Sequence, residues 1–106
     1  MDINQRIECL AAIDLFASFT EDELRIFAEK IEEVHFPQSK EIFEEGTLGH
    51  DMYVLLEGSL KIFKNNRTIR VISPIDYVGE MAIIEDKPRS ATVISNTAVT
   101  TAGIFK

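Results

Sequence analysis

Residues 79 to 93 read Gly79-Glu80-Met81-Ala82-Ile83-Ile84-Glu85-Asp86-Lys87-Pro88-Arg89-Ser90-Ala91-Thr92-Val93. Glu80 to Glu85 contains helix formers and no turn residue, and Lys87-Pro88 stops it, so one short helix is expected in a region that otherwise reads as strand. A helix that opens straight after a glycine presents unpaired backbone N–H groups, and the positive end of its dipole, to whatever lies in front of it. Gly79 permits close approach there. Arg89 then brings a planar guanidinium suited to gripping a phosphate through two parallel hydrogen bonds. Glu80 is an acceptor and suits hydroxyl groups, while Ser90 offers a hydroxyl to a phosphate oxygen or a purine edge. The segment asks for a ligand with one phosphate and a neighbouring hydroxyl.

After Pro37 the hydrophobic period changes from 3.6 to 2. Candidate strands are Ile31–Phe36, Glu41–Glu44, Met52–Glu57, Leu60–Lys64, Thr68–Ser73, Ala91–Ser95 and Ala98–Ile104, with Leu60 and Ile62 expected on one side together with Ile69 and Val71. Asn65-Asn66 tolerates the positive φ of a two-residue hairpin turn and would pair the fourth and fifth of these antiparallel. Strands this short at this turn spacing predict a small antiparallel β-barrel or jelly roll, a double-stranded β-helix. The first third is helical instead. Ile3, Ile7, Leu10 and Ala11 recur at helical spacing, and Thr20 with Glu23 forms a capping box before Leu24, Phe27, Ala28 and Ile31, a helix running to about Glu32. The chain therefore reads as one domain, with residues 1–33 helical and residues 34–106 a β-barrel carrying the helical segment at 78–93.

The chain has 106 residues, 45% of them apolar, which suits a single core. With 11 Lys and Arg against 18 Asp and Glu the net charge is −7, a poor basis for holding a nucleic-acid backbone or an anionic membrane. The longest apolar runs, such as Met52–Leu56, are far below the ~18 residues of a membrane span, and no basic-then-apolar leader opens the chain, so a soluble, cytoplasmic protein is expected. Cys9 has no partner for a disulfide and reads as a buried small apolar residue. His35 and His50 lack metal-ligand spacing, so neither metal nor cofactor is expected. Glu41, Glu44 and Glu45 read as a solvated acidic face.

Gly79-Glu80-Met81-Ala82-Ile83-Ile84 followed by Pro88-Arg89-Ser90-Ala91-Thr92-Val93 resembles the phosphate-binding cassette of the cyclic-nucleotide-binding domain family. The similarity extends to Leu15-Phe16, to Thr20 and Glu23, to Glu45-Gly46 and Glu57-Gly58, and to Pro74, Asp76 and Tyr77, about 90 residues in all. It implies that Glu80 accepts the ribose 2′-hydroxyl and that Arg89 pairs the cyclic phosphate. It further implies that backbone amides near Met81 and Ala82, with Gly79 and Ser90 beside them, donate to phosphate oxygens, and that Ile62 and Val71 line the base pocket. Val78 stands where the family usually has an aromatic residue. The family continues into two lid helices, whereas this sequence ends at Lys106, so a fragment of something longer or a stripped-down binder is expected.

The resemblance implies a regulatory module that captures a cyclic nucleotide, cAMP before cGMP, without performing chemistry, and signals through flanking helices or an effector domain. Homodimerisation and the effector stay open. A degenerate barrel used for dimerisation or scaffolding is the alternative, and a jelly-roll metalloenzyme of the cupin kind is disfavoured by the isolated histidines. Arg89 as an ordinary surface arginine paired with Glu80 or Glu85 is the bland reading of that residue. On the ligand-binding reading, Arg89→Ala should leave folding intact.

Overall fold

The computed structural model describes residues 2–81 and 86–105, which form two helices and two antiparallel four-stranded sheets. Helix α1 (Ile3–Ala11) opens on a capping box in which the Asp2 side chain accepts from the Gln5 N–H and the Gln5 side chain accepts from the Asp2 N–H. Helix α2 (Glu21–Glu29) opens on the Thr20 and Glu23 box anticipated above. Its end falls earlier than expected. Lys30 caps it, and Glu32 onward is drawn into a strand ladder opposite Gly103, so sheet pairing overrides local helix preference.

The strands are β1 (Glu32–Phe36), β2 (Glu41–Phe43), β3 (Asp51–Glu57), β4 (Leu60–Lys64), β5 (Arg67–Ile72), β6 (Asp76–Val78), β7 (Thr92–Ser95) and β8 (Val99–Phe105). One sheet runs β1-β8-β3-β6, the other β2-β7-β4-β5. The expected jelly roll is present, but it is not a closed barrel. β5 and β6 are edge strands of different sheets, and the Ser73-Pro74 step between them interrupts the backbone pairing that would seal the seam. Asn65 and Asn66 both take positive φ, 53° and 62°, and close the β4–β5 hairpin as anticipated.

Strand β3 explains the apolar run Met52–Leu56, because both of its faces are covered. Met52 and Val54 join Leu10, Phe16, Leu24 and Ala28 under the helices, while Tyr53 and Leu55 join Phe43, Leu60, Ile72, Val78 and Val93 between the sheets. Strand β6, only three residues long, was not anticipated. It pairs with β3 through Tyr53, Val54 and Leu55 and delivers the chain to Gly79. Cys9 is buried as expected, and burial pushes its thiol up from the ordinary value. Glu41, Glu44 and Glu45 are exposed. Among the described residues, no helix is long and apolar enough to cross a membrane.

Candidate functional site

Arg89 is the organising residue, and it is buried, with only 5% of its side chain exposed. Its Nη2 donates to Asp51 Oδ1 at 2.5 Å and its Nη1 to the Gly79 carbonyl at 3.3 Å. The guanidinium lies over the Phe43 ring, 3.7 Å from the centroid, a cation–π contact worth about 2 kcal/mol when desolvated. A buried cation needs such compensation, since leaving one unpaired costs several kcal/mol. The surface pairing with Glu80 or Glu85 is therefore corrected: β3 places Asp51 against Arg89 from the other sheet. Glu85 itself lies outside the described residues.

The backbone around this group is equally specific. The Arg89 N–H donates to the Thr47 carbonyl and the Gly46 N–H to the Arg89 carbonyl, both at 2.8 Å, which clamps the β2–β3 loop to the cassette. A Cβ on Gly49 would sit 2.4 Å from Arg89 Nη2, so only glycine lets the guanidinium occupy its place. Gly79 has φ +89°, and a Cβ there would meet the Phe43 ring at 2.7 Å and Arg89 Nη1 at 2.8 Å. Asp51 also accepts the Tyr53 hydroxyl at 2.7 Å. Burial, that hydrogen bond and the Asp51 charge push the Tyr53 phenol well above its ordinary value.

Of these groups, Arg89, Phe43 and Gly79 border a cavity of about 340 Å³, within the range of small-ligand sites. Gly79, Glu80, Met81, Arg89 and Ser90 lie on its wall with Ile62, as the sequence suggested. A helical turn opens at Glu80 and Met81, so their N–H groups are first-turn donors; Ala82, also expected to donate, lies outside the described residues. Burial, then the Glu80, Asp14 and Asp76 carboxylates, raise the Tyr77 phenol, and Tyr77 and Glu80 both line the cavity.

Val71 is a correction. The β4–β5 register sets it opposite Lys61 on the outer face, half exposed, while Ile72 and Arg70 take the other face, Ile72 buried and Arg70 mostly exposed at the cavity's edge. A bulge at Ile62/Phe63 leaves Ile69 without a ladder partner and brings it to the cavity as well. A single bulge thus breaks the period-2 rule that had grouped Ile69 with Val71. Val78, where the resemblance implied an aromatic residue, is buried between the sheets and borders the cavity. Sequence reasoning missed Phe43, Gly49, Asp51 and Arg70, and noted Asp76 only as part of the resemblance. The one available signal was Asp51, a carboxylate heading an apolar run.

The jelly roll thus brings a glycine-led helical turn and a buried arginine together at one cavity. Residues 33–106 match the profile of the cyclic nucleotide-binding domain, and the chain belongs to that family. It is 30% identical over 95 residues to a cGMP-dependent protein kinase of Plasmodium berghei, an overlap covering 90% of this chain and 11% of the kinase. It is 32% identical over 99 residues to the cAMP-dependent protein kinase regulatory subunit of Neurospora crassa, covering 92% of this chain and 26% of that protein. Both relatives are several times longer than this chain. Among solved structures, a cyclic nucleotide-binding-like protein from Brucella abortus matches with a TM-score of 0.84 at 28% identity, over 95% of this chain and 90% of that one.

Proposed function

We propose that this chain captures a cyclic nucleoside 3′,5′-monophosphate and performs no chemistry on it. The observation that carries the reading is Arg89, a buried guanidinium fixed by Asp51, Gly79 and Phe43 on the wall of a cavity lined by polar and apolar side chains alike. A cation held this way is preorganised, so little ordering cost is left for the moment of binding. The Arg89 N–H groups not used by Asp51 and Gly79, the first-turn amides at Glu80 and Met81, and the Ser90 hydroxyl are the phosphate donors. Glu80 accepts the ribose 2′-hydroxyl. Ile62, Ile69 and Ile72 form an apolar bed for the base.

Occupancy acts on the loop of Gly46 to Gly49 and on the cassette together, because Arg89 is bonded to both. In a longer protein, that coupled movement is the signal passed to flanking helices or an effector domain. The adenine preference that the resemblance implies has no counterpart in the phosphate half of the cavity, which is indifferent to the base.

Isothermal titration with cAMP, cGMP, 5′-AMP and the 2′-deoxy cyclic nucleotides tests the reading. The cyclic nucleotides should bind and 5′-AMP should not, and 2′-deoxy analogues should bind more weakly to the wild type but no differently to Glu80→Ala. Equal binding of 5′-AMP, or indifference of the wild type to the 2′-hydroxyl, would overturn the corresponding assignment. A purely structural barrel would give no heat with any of them.

A further inference from the structure

The two sheets differ in what covers their outer faces. Helices α1 and α2 pack over Met52, Val54, Ala102 and Ile104 of β3 and β8, and the core cluster they build there includes no residue of β2, β7, β4 or β5. On the outer face of that second sheet, the register sets Glu41, Ile94, Lys61 and Val71 in one cross-strand row and Thr92, Phe63 and Thr68 in the next. Phe63 and Ile94 are half-buried, Val71 is 52% exposed, and none of the three belongs to either core cluster. Ile62 and Val93, which alternate with them along β4 and β7, join the core between the sheets instead. A lone exposed apolar side chain would be ordinary, but three neighbours on one uncovered face are not.

The charge around them is equally one-sided. Leu60–Ile72 carries Lys61, Lys64, Arg67 and Arg70 and no carboxylate, in a chain whose net charge is −7. Lys61 stands between Ile94 and Val71, and Lys64 and Arg67 flank the Asn65-Asn66 turn at the tip of the same hairpin. Arg70 takes the other face and pairs with Asp76. Glu41, the carboxylate of these rows, lies at the far edge on β2. A surface built for solubility intersperses both signs, whereas a run of one sign beside apolar groups sets up a field for a complementary partner.

We propose that this face docks an acidic segment of a partner protein, whose apolar side chains cover Phe63, Val71 and Ile94 while its carboxylates meet Lys61, Lys64 and Arg67. A nucleic acid or an anionic membrane suits the face less well. Three cations neutralise few phosphates, and the acidic remainder of the chain repels an extended anionic surface, a penalty that a short segment confined to the hairpin avoids. Two copies of the chain joined through this face would set cation against cation. Because side chains alternate along β4 and β5, the segment and the cavity occupy opposite faces of the same strands, so the proposal is independent of what the cavity binds.

The probe is a fluorescein-labelled peptide in which glutamate alternates with leucine and phenylalanine, titrated into the intact chain and followed by anisotropy. It should bind, its counterpart with lysine in place of glutamate should not, and affinity should fall as salt rises from ~0.05 to ~0.5 M. Lys61→Glu combined with Arg67→Glu should weaken binding by about 10-fold or more and Val71→Ser by about 5-fold. Arg25→Glu combined with Lys30→Glu, the same charge change at α2, should leave it unaltered. Thermal unfolding confirms that each variant is folded. In amide NMR spectra the peptide should shift Lys61, Phe63, Val71 and Ile94 and spare Gly79 and Arg89. No binding of the glutamate peptide, equal binding of the lysine peptide, an equal loss in the α2 variant or shifts centred on Gly79 and Arg89 would overturn the proposal. So would tighter binding at this face of duplex DNA, of phosphatidylserine vesicles or of a second copy of the chain.

Discussion

Replacing Arg89 by alanine should weaken the fold as well as the ligand site, contrary to what the sequence suggested. Breaking a fully buried ion pair costs about 3–5 kcal/mol because the partner is left as an uncompensated charge. Asp51 keeps 29% of its side chain exposed and retains the Tyr53 hydroxyl, so water and that bond absorb part of the penalty. The loss should be about 2–3 kcal/mol. At about 4–8 °C per kcal/mol for a domain near this size, the melting temperature should drop by about 10–20 °C. Ligand affinity, titrated well below that temperature, should fall by about 3 kcal/mol or roughly 150-fold, since a charge-assisted double contact to the phosphate is removed.

Thermal unfolding and titration of Arg89→Ala, Asp51→Asn and the double variant separate the two effects. The double variant should be more stable than the sum of the single losses, by about 1–3 kcal/mol of coupling. Strict additivity would refute the ion pair as the source of stability. Unchanged affinity in a folded Arg89→Ala would refute the phosphate role.

Gly49→Ala probes the same group without deleting it. The new Cβ would lie 2.4 Å from Arg89 Nη2, and overpacking of this kind costs about 1–3 kcal/mol, so both stability and cyclic-nucleotide affinity should fall. A normal titration curve would show that the guanidinium is free to move aside. Tyr53→Phe tests the raised phenol. Because the folded state holds this proton more tightly than the unfolded chain, the hydroxyl's contribution is complete below the ordinary phenol value of about 10 and is lost as pH rises through the folded value. The stability gap between wild type and Y53F should therefore narrow with rising alkalinity, as read by urea unfolding; a gap that widens would contradict the assignment. Thr20→Ala should cost about 1 kcal/mol by removing the α2 cap, measured by the same unfolding.

Local sequence settled the features that depend on neighbours in the chain. The Thr20 and Glu23 box, the Asn65-Asn66 turn and the glycine ahead of Glu80 act over a few residues, so spacing alone reveals them. The participation of Gly79, Glu80, Arg89 and Ser90 in one cavity was legible for the same reason, because a single contiguous segment carries them. Tertiary structure decided the rest. Asp51 meets Arg89 across 38 positions of sequence, Phe43 stacks on it from another strand, and Ile69 reaches the cavity only because a bulge shifts the register of β5. Such pairings depend on how the sheets lie against each other, and a one-residue slip in a strand exchanges its inner and outer faces. The residues that hold a phosphate were written locally; those that hold the arginine, and those that face the base, were fixed by packing.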